Sequence, residues 1–333
     1  MRHSVNTSVK MAGLSILCAI LALALCPCQG AAHTAKEGAL RLLPCPDPED
    51  IYPCVCTVDS LHNMDMDCSL VESEDQLARI FSSNIPIPKF RRLVIMNNQH
   101  LKVLRRDDLG ESSFETIFIQ GGVLEEVQDE ALSNSYTSAT YIDLQDNRVS
   151  EFPFNELPLF TSLHTLKLNM NWLPVFPALQ SDVLQQIGLD KNSFQKIPVD
   201  GFTSLTKIES ISVSDNHIGT IVRGTFAQLP FLQKLHLDNN QLRHITEGTI
   251  EGLKGGLLSL QENSLTDLEE AIFRPFLQGG TTVALNGNPL SCGCDIAWLV
   301  VNGAYMDLIS GGSTCYDGEL LSNLDPSIYQ DLC

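Results

Sequence analysis

Three short stretches of this 333-residue chain carry residue types that could do covalent chemistry. Ser193-Phe194-Gln195-Lys196 and Ser204-Leu205-Thr206-Lys207 match S-x-x-K, and Ser214-Asp215-Asn216 matches S-D-N, the nucleophile and base elements of one kind of serine acyl transfer. The third element of that set, K-T-G, does not follow. H-E-x-x-H, G-x-S-x-G, a phosphate-cradling glycine loop and a dinucleotide fingerprint are also missing. His164 and His236 fall at outward-facing positions of short expected strands, where a solvated imidazole is the ordinary condition. Of eleven cysteines, Cys18, Cys26 and Cys28 lie near the amino terminus. The other eight form two quartets, Cys45, Cys54, Cys56, Cys68 and Cys292, Cys294, Cys315, Cys333. A quartet can hold zinc tetrahedrally or form two disulfides in any of three pairings. The C-x-C spacings and an oxidising compartment favour disulfides. The expectation is a non-catalytic chain with no cofactor and no metal.

A repeat positions all of these residues. From Leu232 to Ile245 the chain reads L-x-x-L-x-L-x-x-N-x-L-x-x-I, with Leu232, Leu235, Leu237, Asn240, Leu242 and Ile245 at the fixed places. Residues two apart point to one side of a strand, and an Asn amide can pair the backbone groups that a buried turn leaves open. Clear copies centre on Asn171, Asn192 and Asn216, and weaker ones on Asn98, Gly122, Asn147, Asn263 and Asn288. About nine units therefore fill residues 90–290, at the 20–29-residue spacing of the leucine-rich repeat. A second apolar set, Phe202, Phe226, Ile250 and Phe273 with Leu205, Leu229, Leu253 and Phe276, belongs to the return leg of each coil. Each unit buries about seven apolar side chains at roughly 1.5–3 kcal/mol each before entropy, and no unit should be stable alone. The unit from Leu163 is short and carries Pro174 and Pro177, so an extended return leg is expected there.

Residues 1–30 have Arg2 and Lys10, an apolar run from Met11 to Leu25 and small residues near Gly30, which reads as a secretory signal peptide. Residues 31–44 form a flexible lead, 45–89 a Cys-rich amino-terminal cap and 291–333 a Cys-rich carboxy-terminal cap. The net charge is -19, and loss of the signal's two cations deepens it. That excludes nucleic acid and anionic membrane surfaces, while an acidic array suits a basic partner. No membrane anchor is expected, and the product should be secreted and extracellular.

The caps carry a family resemblance. C-x8-C-x-C-x11-C ending in Asp67-Cys68, and Asn288-Pro289-Leu290-Ser291-Cys292-Gly293-Cys294 followed by Trp298-Leu299, resemble the two caps of secreted extracellular leucine-rich repeat proteins. The implied fold is an α/β solenoid, a leucine-rich repeat horseshoe with a parallel β-sheet on the concave face and disulfide-bonded caps at both ends. The resemblance further implies the pairings Cys45 with Cys56, Cys54 with Cys68, Cys292 with Cys315 and Cys294 with Cys333, with Trp298 plugging the last coil. With the acidic Cys45-Pro46-Asp47-Pro48-Glu49-Asp50, the chain is most similar to arthropod proteins related to the non-catalytic subunit of decapod shrimp luciferase. That relation implies a scaffold that stabilises a small, separate catalytic chain. The alternative is a soluble innate-immune or signalling ectodomain that binds microbial or growth-factor ligands.

In either case function falls to outward residues of the concave sheet, where another protein would bind. The candidates are Met96, Phe118, Tyr141, Asp143, Lys167, Met170, Asp190, Ser214, His236 and Asp238. Phe118, Tyr141 and Met170 suggest an apolar path over three consecutive coils. No N-x-S/T site follows the signal to shield either face.

Overall fold

A computed structural model describes residues 45–333; the expected signal peptide and lead lie outside the described residues. Each coil contributes one short strand, and the strands join an eleven-stranded sheet. It begins with β1 (Val55–Val58), β2 (Met64–Asp67) and β3 (Lys89–Met96). After a small outlying strand β4 (Val103–Leu104) come β5 (Ser113–Gln120), β6 (Glu126–Val127, paired with β4), β7 (Tyr141–Asp143), β8 (Thr165–Lys167) and β9 (Gln186–Gly188). β10 (Ser210–Ser212), β11 (Lys234–His236), β12 (Gly256–Ser259) and β13 (Thr281–Ala284) complete it. Only β1 and β2 pair antiparallel; from β2 onward every neighbour in the main sheet is parallel.

The repeat leucines form one continuous core, and Leu235, Leu237, Ile211, Val213, Leu166 and Leu168 are fully covered. The asparagines explain how such tight turns stay buried. Asn216 Nδ2 donates to the carbonyls of Leu189, Val213 and Ser214 at 3.1, 3.1 and 3.0 Å, while its Oδ1 accepts from Phe194 N–H at 3.1 Å. Asn171, Asn192, Asn240 and Asn263 repeat the pattern, so one amide ladder stitches each coil to the one before. At Gly122 the ladder lacks its side chain, because a Cβ there would lie 2.7 Å from the Asn98 carbonyl oxygen. The residue before each ladder position is left-handed: Asn97, Gly121, Asp146, Met170, Lys191, Asp215, Asn239, Glu262 and Gly287 all have positive φ.

Return legs are mostly turns, with 3-10 segments at Ser133–Ser135 and Phe154–Leu159 and helical legs at Glu74–Phe81 and Glu270–Gln278. Between Trp172 and Gln180 the leg holds no helix, where Pro174 and Pro177 oppose one. Phe176, Phe202 and Phe226 pack in series behind the sheet, with ring centroids 5.1 and 5.2 Å apart.

The ends differ from the middle. Helices α1 (Pro48–Ile51) and α2 (Glu74–Phe81) flank the β1–β2 hairpin, which bonds Cys45 to Cys56 and Cys54 to Cys68 cross-link. Arg91 Nε bonds Asp65 Oδ1 at 2.8 Å and its Nη1 bonds Asp59 at 2.6 Å, tying that hairpin to β3. At the far end α3 (Glu270–Gln278) forms the last return leg. Beyond it α4 (Ala297–Val300), α5 (Gly303–Met306) and α6 (Pro326–Leu332) fold over β13 under the bonds Cys292–Cys315 and Cys294–Cys333. The half-buried Trp298 donates its indole N–H to the Leu268 carbonyl at 3.1 Å and so closes the last coil. Among the described residues no helix is long and apolar enough to cross a membrane.

Candidate functional site

Parallel register converts the repeat into columns on the outward face of the sheet. One column, six residues before the ladder position, holds Arg92, Thr116, Tyr141, Thr165, Gln186, Ser210 and Lys234. The next, four before it, holds Val94, Phe118, Asp143, Lys167, Gly188, Ser212 and His236. Inward leucines fix these positions, because alternate residues of a strand take opposite faces.

Over β3 to β8 the face is aromatic and cationic. The Phe118 and Tyr141 rings lie 5.3 Å apart at a tilt of 34°. The Arg92 guanidinium sits 5.6 Å from the Phe118 centroid and Lys167 Nζ 5.5 Å from that of Tyr141. Tyr141 OH donates to Asp143 Oδ2 at 3.0 Å, and Gln145 N–H donates to Asp143 Oδ1 at 3.1 Å. Burial raises the Tyr141 phenol above its ordinary range. Contact with Tyr141, then the nearby Asp143 charge, raises Lys167 and keeps it protonated.

From β9 to β12 the same face is a polar network. Ser212 Oγ and Ser214 N–H donate to Asp190 Oδ1 at 2.5 and 2.7 Å. Asp238 accepts from Ser259 Oγ, from Gln261 N–H at 3.0 Å and from Ser214 Oγ at 3.3 Å, with His236 Nδ1 3.6 Å away. Burial pushes the Asp190 carboxyl above its usual range. For Asp238 burial acts in the same sense, but His236, Ser259 and Gln261 outweigh it and the pKa falls below the ordinary value. Ser214-Asp215-Asn216 is consumed by this architecture: a buried hydroxyl bonded to a carboxylate, a left-handed turn residue and a ladder amide. Among the described residues no group of three or more His, Cys, Asp or Glu is placed to hold a metal ion.

Among the expected face residues, the structure brings Phe118, Tyr141, Asp143 and Lys167 together in one cluster and Asp190, Ser214, His236 and Asp238 in another. Three placements need correction. Asp143 is 2% exposed and Ser214 8%, so both support the face from beneath. Met170 is exposed, but it occupies the left-handed turn just before Asn171, past the end of β8, so the apolar path over three coils stops at Tyr141. Met96 stands at the end of β3, outside both clusters. Arg92 was missing from the candidates. The signal that finds it is alignment on the ladder: Arg92 precedes Asn98 by the same six residues that separate Tyr141 from Asn147.

A family model described as leucine rich repeat matches residues 182–242. Over 317 residues the chain is 35% identical to the Oplophorus-luciferin 2-monooxygenase non-catalytic subunit of Oplophorus gracilirostris, covering 87% of this chain and 88% of that protein. It is 28% identical over 201 residues to Tsukushi of Gallus gallus, covering 60% of this chain and 53% of that one. Among solved structures, a chain of the mouse RP105/MD-1 complex superposes with a TM-score of 0.66 at 19% identity, over 78% of this chain and 45% of its own. A chain of the octameric complex of Latrophilin 3, Unc5D and FLRT2 superposes with a TM-score of 0.57 at 20% identity, over 76% and 86%. These two likenesses carry the fold alone.

Proposed function

The chain belongs to the leucine-rich repeat proteins, in the family of the luciferase non-catalytic subunit, and from that premise we propose that it is a secreted, non-catalytic scaffold that binds and stabilises a separate catalytic chain. The observation that carries this reading is identity spread over 87% of this chain and 88% of a relative that is named as a subunit. The arrangement agrees with it. The polar network from β9 to β12 is spent on internal hydrogen bonds, while the exposed Arg92 and the half-buried Phe118, Tyr141 and Lys167 are offered on a broad sheet face that resembles a binding surface more than a reaction centre. Four disulfides and an acidic chain suit an extracellular fluid, and residues 1–30 would direct it there.

The test is purification of the native protein from its secretion under non-denaturing conditions. A stoichiometric second chain is expected, with activity that resides in that chain and decays faster without the scaffold. Recovery of a lone polypeptide would refute the reading, as would oxidation of a luciferin by this chain alone. Tight binding to a bacterial surface polymer would favour an immune ectodomain instead.

A further inference from the structure

Arg92, Phe118, Tyr141 and Lys167 come one from each of β3, β5, β7 and β8, and they alternate between the two outward columns. They therefore form a stair that crosses three strand gaps, about 14 Å at the usual ~4.8 Å spacing. Its rings are held in place: Tyr141 is tied to the buried Asp143, and Phe118 packs against Tyr141. Its cations are the unusual part. Acids outnumber bases in this chain by 40 to 21, and most cations near this end are paired closely, Arg91 with Asp59 and Asp65, Arg105 with Asp75 and Asp108. Arg92 reaches only to 4.0 Å from Asp65, whose carboxylate Arg91 already holds, and among the described residues Lys167 has no carboxylate within that distance. Two cations with only loose carboxylate neighbours, Asp65 for Arg92 and Asp143 for Lys167, thus bracket two outward aromatic rings in an otherwise acidic molecule.

We propose that this stair is the anchor of the partner-binding face, and that it takes an extended segment of a partner protein in which an aromatic side chain stands between two carboxylates about four residues apart. The spacing follows because ~14 Å divided by ~3.3 Å per extended residue is about four. The partner's ring packs on Phe118 and Tyr141, and its carboxylates meet the guanidinium and the ammonium with charge-assisted hydrogen bonds. The inference rests on the scaffold reading above and supplies its contact chemistry.

Two measurements test it. Titration of the folded full chain with a synthetic peptide of core glutamate-serine-phenylalanine-serine-glutamate should give an affinity about tenfold or more above that of peptides with lysines for the glutamates or alanine for the phenylalanine. Arg92→Ala, Lys167→Ala and Phe118→Leu should each remove that preference, whereas Lys234→Ala, farther along the same face, should not. All four positions lie outside the packed leucine core, and an unchanged melting temperature verifies that the variants fold. Equal affinity for the three peptides, or unchanged preference in the variants, overturns the proposal. In the second measurement the Arg92→Ala/Lys167→Ala double variant is used to capture the native partner. Capture equal to that of the unsubstituted chain overturns the stair and leaves the scaffold reading intact. Peptide preference without any native partner supports the stair and refutes the scaffold.

Discussion

A ladder asparagine contributes on the scale of a buried leucine, because it bonds four backbone groups that are sealed from water. Asn216→Ala leaves the Phe194 N–H unpaired, at a cost of about 1–3 kcal/mol, and takes one of two donors from the Leu189, Val213 and Ser214 carbonyls, which keep Asn192 Nδ2, Asn240 Nδ2 and Lys191 N–H. We expect a loss of about 2 kcal/mol in urea denaturation, and no measurable loss would show that the Phe194 N–H finds another acceptor. The turn residue before the ladder follows a different rule. Met170 and Lys191 hold the left-handed conformation that Asn, Asp and Gly accept more readily. Met170→Gly should therefore stabilise the chain by about 1 kcal/mol, and Asn239→Gly by much less. Asp190 and Asp238 predict opposite responses to pH. The raised folded pKa of Asp190 means that its ionisation opposes folding near neutrality, and stability is recovered as pH falls through that raised value. The lowered folded pKa of Asp238 means that its contribution is present above the unfolded carboxylate range and is lost as pH falls through the lowered value. At neutral pH Asp190→Asn should then keep or raise the melting temperature and Asp238→Asn should lower it, with the contrast fading in strongly acidic solution. The same ranking at both pH values would contradict the assigned shifts.

At the level of elements, burial was readable from the chain and diagonal contact was not. Leu235, Leu237 and Asn240 announce a strand and turn because their spacing is local and recurs coil after coil. The end of the strand is marked by no residue type, since Asn, Asp, Lys, Glu, Gly and Met all serve in the left-handed turn, and repeat spacing alone therefore carries Met170 onto a face that β8 does not reach. Arg92 and Phe118 lie 26 residues apart and meet only through the β3–β5 register, which the ladder asparagines encode indirectly. The caps are elements with a testable load. Cys294–Cys333 closes a 39-residue separation and Cys292–Cys315 one of 23, worth about 3–4 kcal/mol each on the chain-entropy model. Loss of one such bond removes a large share of a domain's typical margin of about 5–15 kcal/mol and frees the cover over β13. Cys294→Ser, which orphans Cys333, should abolish secretion from cultured cells. Normal yield of a monomeric product would show that the cap does not govern stability.

The whole molecule distributes its charge unevenly, and that sets how a partner can approach. After Arg274 the chain has six carboxylates and neither Lys nor Arg, whereas Lys89, Arg91, Arg92, Lys102, Arg105 and Arg106 gather near the other end of the sheet. Long-range attraction depends on the total of -19, and contact depends on the local stair. A partner that offers carboxylates to Arg92 and Lys167 must therefore be basic elsewhere, or the summed field would repel it before contact. The two levels separate in kinetics. Raising ionic strength from about 50 to about 500 mM shortens the screening length from ~14 to ~4 Å, so the association rate should fall by about tenfold while dissociation changes little. Arg92→Ala with Lys167→Ala should do the reverse, speeding dissociation and leaving most of the salt dependence of association in place, because two charges of that total hardly alter the far field. Stopped-flow measurement on the purified pair decides the matter. An association rate that rises with salt would mean that the partner is acidic overall and that the molecules meet against their fields, which would sink this account of steering even if the stair remained the point of contact.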